Sequence, residues 1–138
     1  MLGRILGIDY GGKRVGLAVS DPTKTIAQPL TTLEQDGSGK WWQQLATIIQ
    51  DQAVEVIVVG YPLTMKGSAS MQTSEVDKFI AELQSQQSIP VYRYDERLTS
   101  VAARRNLVQR GIKTGSNKGM VDRIAAALML QDYLDCQK

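Results

Sequence analysis

The sequence predicts an α/β fold: a five-stranded mixed sheet, three antiparallel strands followed by two parallel ones, flanked by helices. Three stretches carry that prediction. Residues Arg4 to Asp21, RILGIDYGGKRVGLAVSD, alternate large and small residues on either side of a Gly11-Gly12 turn, the pattern of a β-hairpin. Val54 to Gly60, VEVIVVG, is β-rich and almost wholly apolar, as a central parallel strand covered on both faces must be. From Ser38 onward, segments with apolar residues at helical spacing alternate with short strands, which implies parallel crossovers. With 138 residues and 43% hydrophobic content, the chain is expected to form a single domain, residues 1–138.

The hairpin organises the rest. If Tyr10 to Lys13 close it, Gly7 faces Gly16 and Asp9 faces Arg14. One face is then bulky (Leu6, Ile8, Val15, Leu17, Val19) and the other nearly bare (Gly7, Gly16, Ala18, Ser20), with Asp9 at its end. A bare face admits a close-packed helix, so whatever docks there approaches Asp9. Ile26 to Leu33 reads as a third strand, and Pro29 within it favours an edge position. Asp36-Gly37-Ser38-Gly39 is a turn, and Ser38 is placed to cap a helix running to about Gln52, with Trp41, Trp42, Leu45, Ile48 and Ile49 at helical spacing. Tyr61 to Ser70 is a loop. Met71 to Gln86 is a second helix with a buried stripe of Val76, Phe79, Ile80 and Leu83. Pro90 introduces a short strand, Val91 to Tyr94, ending at Asp95-Glu96. Thr99 or Ser100 caps a third helix to about Gln109, Gly111 to Gly119 form a basic loop, and Met120 to Leu134 form the last helix.

Composition narrows the chemistry. Histidine is absent, which removes the commonest general base and the commonest transition-metal ligand. Any catalysis must run on carboxylates, lysines, hydroxyls or a hard metal ion. The one cysteine, Cys136, allows no disulfide within the chain and points to a reducing cytoplasm. No apolar run reaches membrane-spanning length, and the N-terminus leads straight into a strand with no signal-peptide pattern, so a cytoplasmic location away from membranes is expected. Net charge is only +2, but it is unevenly spread. Arg93 to Arg123 hold eight basic residues against three acids, which leaves the rest of the chain at −3. A basic third fits a polyanion, because phosphate contacts dominate nucleic-acid affinity; a solvated helix surface is the plainer reading.

Acidic positions stand at element ends: Asp9, the Asp95-Glu96 pair, and Asp122 in the first turn of the last helix. Ala125 and Ala126 share Asp122's side of that helix. An alanine-faced helix fits the Gly7/Gly16/Ala18 face and would bring Asp122 near Asp9. Carboxyl ends of parallel strands gather at one edge of an open sheet, so three acids are expected to converge there. Converging carboxylates without histidine suit Mg²⁺ or Mn²⁺. Two such ions about 4 Å apart stabilise the attacking and leaving oxygens in phosphodiester hydrolysis. Each acid also has an ordinary reading: Asp122 as a helix-dipole partner, Asp9 paired with Arg14 or Lys13, Glu96 paired with Arg97 or Arg93. Gly11-Gly12-Lys13-Arg14 could cradle a phosphate, though a tight turn needs glycines in any case. Trp41 and Trp42 read as core and rim packing rather than base-stacking platforms.

These residues resemble the RuvX/YqgF family of bacterial Holliday-junction-resolvase-like nucleases. The carriers are Gly7-Ile8-Asp9-Tyr10-Gly11-Gly12-Lys13-Arg14-Val15-Gly16-Leu17-Ala18-Val19-Ser20-Asp21, Val59-Gly60-Tyr61-Pro62-Leu63, Tyr94-Asp95-Glu96-Arg97-Leu98-Thr99-Ser100, and Lys118 with Asp122, Ala125 and Ala126. The resemblance implies a ribonuclease-H-like fold and a metal-dependent endonuclease that processes the 5′ end of pre-16S ribosomal RNA. It implies Asp9, Glu96 and Asp122 as catalytic, metal-holding acids for Mg²⁺ or Mn²⁺, with Asp95 the close rival of Glu96. Lys13, Arg14, Arg97, Arg104 and Lys118 would then grip phosphates of a structured RNA precursor or branched DNA, within ribosomal precursor particles and as monomer or dimer. One departure stands out. Resolvases of the wider fold class usually carry an acid at the end of the fourth strand, where this chain has Gly60-Tyr61-Pro62, followed by Lys66. The competing reading is a non-catalytic nucleic-acid-binding module of the same fold. A sugar-kinase or actin-like ATPase also opens on a D-x-G hairpin, but it needs two such domains and ranks last.

Overall fold

Residues 3–11, 13–61, 71–95 and 118–137 are described by the computed structural model, without the side chains of 71–73 and 118. The expected third helix, Thr99 to Gln109, lies outside the described residues, as does most of the Gly111–Gly119 loop.

Eight elements follow in order: β1 (Arg4–Tyr10), β2 (Arg14–Ser20), β3 (Ala27–Glu34), α1 (Lys40–Asp51), β4 (Val54–Tyr61), α2 (Met71–Gln86), β5 (Val91–Asp95) and α3 (Lys118–Cys136). The five strands form one sheet in the order β3-β2-β1-β4-β5. β1, β4 and β5 run parallel, while β2 is antiparallel to both β1 and β3. The mixed sheet is therefore the one the sequence predicts, with the apolar β4 in its interior.

The hairpin register differs from the expected one by two residues. Asp9 faces Gly16 rather than Arg14, and Gly7 faces Ala18 rather than Gly16. Pairing extends to Tyr10 opposite Val15, and the Gly11 N–H donates to the Arg14 carbonyl at 3.0 Å to close the turn. An even shift leaves every side chain on its face, because strand alternation has period two; a one-residue slip would have reversed them all. The bare face and the bulky face are both preserved.

Two layers cover the sheet. On the bulky face Leu6, Ile8, Val15, Leu17, Ile57 and Val59 pack against Trp41, Leu45 and Ile49 of α1 and Val76, Phe79, Ile80 and Leu83 of α2. On the bare face Ile5, Ala18 and Val58 meet Ala126, Met129, Leu130 and Leu134 of α3. The small residues let α3 come down onto the strands. A Cβ at Gly7 would lie 2.9 Å from Leu130 Cβ, and one at Gly16 would lie 2.2 Å from the Asp122 carbonyl oxygen. Since Gly16 and Asp122 meet at one end of this contact and Gly7 and Leu130 at the other, α3 runs antiparallel to β1. Its N-terminal end stands at the carboxyl edge of the parallel strands.

Two local expectations are adjusted and a third holds. Helix α1 begins at Lys40 with Gly39 at its cap position, φ 78°, a left-handed conformation glycine adopts without strain. Ser38, the expected cap, instead bonds Asp36 through its own N–H and hydroxyl, and its Oγ accepts only the Lys40 N–H, at 3.3 Å. Helix α3 already includes Lys118, two residues before the expected Met120, so Asp122 lies beyond its first turn. That weakens the helix-dipole explanation for this acid, since the dipole acts within the first turn. Pro29 does lie on the edge strand β3, next to the register shift between Leu17 and Ala18.

Candidate active site at the carboxyl edge of the sheet

Asp9 is placed by strand alternation. Gly7, two residues earlier, looks toward Leu130 and Ala126, and Gly16, its cross-strand partner, toward Asp122. Asp9 shares that face and is half-buried. Directly paired strand residues sit about 5 Å apart. Because the backbone of Asp122 rests on Gly16, Asp122 becomes a close spatial neighbour of Asp9, 113 positions away in the chain. The two acids therefore stand on one face, at one edge.

Asp122 is already engaged by a cation. Arg14 Nε donates to its Oδ2 at 2.6 Å, a charge-assisted bond between side chains each about a quarter exposed. Arg14 reaches it because residues 14, 16 and 18 of β2 all face α3. Two polar contacts that the sequence did not announce fix the start of the helix. Thr32 of β3 donates its hydroxyl to the Gly119 carbonyl, and Arg123 Nε donates to Thr32 Oγ1 at 3.4 Å. Gln35 similarly ties down the hairpin turn, donating its amide to the Gly11 carbonyl and receiving the Tyr10 hydroxyl at 3.4 Å. A threonine in an edge strand, or a glutamine just after one, carries no sequence signal for such a role.

Tyr10, next to Asp9, points to the opposite layer and stacks on Phe79 with ring centroids 4.5 Å apart; Trp41 lies 6.5 Å from it. Burial raises its phenol pKa, the Gln35 bond works against that, and the Glu75 charge adds to it. Trp41 and Trp42 stack on each other and on Phe79, in agreement with the packing role expected of them.

The last strand places Asp95, the first acid of the Asp95-Glu96 pair. Val91 and Arg93 pair with Ile57 and Val59 on the α1/α2 side, and Asp95 pairs with Tyr61 in the same alternation. Asp95 thus lies on the face opposite Asp9 and Asp122. Glu96, Arg97 and Arg104 lie outside the described residues, as does the Lys118 side chain. Lys13 is exposed in the hairpin turn. Among the described residues no group of three or more acids, histidines or cysteines gathers. Of the predicted acids, Asp9 and Asp122 are the described ones on the α3 face, an all-oxygen pair that suits a hard cation.

A family model described as "RuvX: Holliday junction resolvase" matches residues 3–136. The chain belongs to the RuvX family. Membership in this nuclease family places it among hydrolases acting on ester bonds. Its relatives include a Roseiflexus sp. protein, 40% identical over 136 residues, covering 99% of this chain and 96% of that protein. A Thermoanaerobacter pseudethanolicus protein is 41% identical over 136 residues, covering 98% of each. Both carry the name "Putative pre-16S rRNA nuclease". Among solved structures, the RuvX chain resembles T. thermophilus RuvC in complex with Holliday junction substrate, with TM-score 0.61 at 16% identity, covering 99% of this chain and 97% of that one. The fowlpox virus resolvase bound to Holliday junction DNA follows at TM-score 0.53 and 14% identity, covering 97% and 98%. At those identities the likeness establishes the fold, which is ribonuclease-H-like.

Proposed function

We propose that this RuvX-family chain, a single nuclease domain over residues 1–138, is a metal-dependent endonuclease. Its substrate is the 5′ end of the 16S ribosomal RNA precursor, in the cytoplasm and on ribosomal precursor particles. The name its relatives carry supports the substrate class, a precursor of 16S ribosomal RNA. The chemistry rests on one observation: Asp9 and Asp122 share a face at the carboxyl edge, with the α3 backbone seated on Gly16 between them.

The residues present fit a divalent cation. The donors are carboxylates, no histidine exists to favour a softer metal, and Asp122 already draws a cationic group to 2.6 Å. Asp9 and Asp122 would hold Mg²⁺ or Mn²⁺ with Glu96 as the third acid, Asp95 being turned to the other face. When bound, such ions supply charge stabilisation for the attacking and leaving oxygens of an in-line displacement. Lys13, Arg14, Arg97, Arg104 and Lys118 would bind the phosphates on either side of the scissile bond. No helix among the described residues is long and apolar enough to cross a membrane.

Asp9→Asn tests it. The variant keeps its fold and loses Mn²⁺-dependent cleavage of a structured RNA precursor by at least about a hundredfold. Full cleavage by Asp9→Asn would defeat the mechanism. The competing reading, a nucleic-acid-binding module without catalysis, draws on Gly60 at the end of β4, where the wider fold class carries an acid. Calorimetry distinguishes them: wild-type protein that binds RNA but takes up no Mn²⁺ at millimolar concentration is such a module.

A further inference from the structure

Two carboxylates on one half-buried face repel each other and need positive charge nearby. The structure supplies it from within the chain: Arg14 Nε lies 2.6 Å from Asp122 Oδ2, and β2 carries Arg14 on the same face as Gly16, directly opposite Asp9. A divalent cation held between Asp9 and Asp122 would have to share Asp122 with this guanidinium. We propose that Arg14 is the internal counter-ion of the acid pair, a positioning residue that metal loading displaces from Asp122 and frees to meet a substrate phosphate. This rests on the metal-site reading above and adds an order of events to it. Arg14 and the metal exclude each other at Asp122, while the metal and substrate help each other.

The expected size follows from charge alone. A single positive charge about 6 Å from a divalent ion, even at the dielectric constant of water, weakens metal binding about tenfold. Calorimetric titration of the full chain with MnCl₂ therefore gives about tenfold tighter binding for Arg14→Gln than for wild type. Arg14→Lys keeps the charge and stays within about twofold of wild type. A labelled RNA hairpin provides the second readout. Wild-type protein binds it more tightly in Mn²⁺ than in EDTA, and Arg14→Gln loses that gain. Should Arg14→Gln fail to fold, Arg14→Met keeps the apolar stem without the charge and is expected to behave alike. Mn²⁺ binding by these uncharged variants that is unchanged or weaker overturns the counter-ion role while leaving the nuclease reading intact. Wild-type protein that takes up no Mn²⁺ overturns both.

Discussion

Gly16→Ala is the sharpest test of how this fold builds its edge. The added methyl carbon would sit 2.2 Å from the Asp122 carbonyl oxygen, 2.4 Å from its carbon and 3.0 Å from the Arg123 nitrogen. All three are backbone atoms of α3, so no side chain can swing aside. Restoring ordinary contact near 3.4 Å requires the helix to retreat by about 1.2 Å, through a layer packed as densely as a crystal. Overpacking usually costs 1–3 kcal/mol, and a clash against backbone belongs at the upper end, about 3 kcal/mol. A domain of this size loses about 3–4 °C of Tm per kcal/mol, so the melting temperature should fall by about 10 °C. Urea unfolding and calorimetry measure it. Gly119→Ala is the matched control: its methyl would meet Thr32 at an ordinary 3.5 Å inside a helix, where alanine is favoured over glycine. That variant should be as stable as wild type or slightly more so. Because the retreat of α3 carries Asp122 away from Asp9, Gly16→Ala should also lose cleavage well below its melting temperature. A Gly16→Ala protein within about 0.5 kcal/mol of wild type would refute the close seating of α3 on β2.

Two further variants probe the supports of the hairpin. Ser20 is fully buried and its Oγ accepts the Ile5 N–H at 2.9 Å, so Ser20→Ala strands a buried donor and should cost about 1–3 kcal/mol in urea unfolding. Asp21 caps the turn after β2, and its carboxylate is held well below the usual range first by the Ile26 N–H, then by the Thr23 hydroxyl and the Thr25 N–H. A depressed pKa stabilises the fold above the ordinary carboxylate pKa of about 4 and loses that contribution as pH falls below it. Asp21→Asn should therefore melt lower than wild type at neutral pH, with the gap closing in acid, as thermal unfolding across pH would record.

Much of this was readable in the chain because the signals were short-ranged. Period-two alternation gave the two faces of β1 and β2, and Met71 to Gln86 declared a helix with the buried stripe later found against the sheet. Alternation cannot count, however: every even register gives the same faces, so pairing Asp9 with Arg14 and pairing it with Gly16 looked equally good. The turn decided, through a Gly11–Arg14 bond that no periodicity encodes. The bare face announced a docking helix, and α3 does dock there by its alanine side. The Arg14–Asp122 bond joins residues 108 positions apart and depends on where α3 comes to rest along β2, which is a property of tertiary packing. Finding the face of Asp95 likewise needed the β4–β5 register, because an acid at a strand end looks the same in sequence until the neighbouring strand fixes its parity.

Asp9 and Tyr10 are consecutive, yet they belong to opposite sides of the sheet. One peptide unit links a carboxylate beside α3 to a ring wedged among Phe79 and Trp41. The two layers are thus mechanically in series: whatever loosens the aromatic stack, Phe79→Ala for instance, tugs directly on the strand end that aims Asp9. Sensitivity of cleavage to changes in that remote stack would be an inherited property of the hairpin, and a reason for its aromatic layer to resist drift.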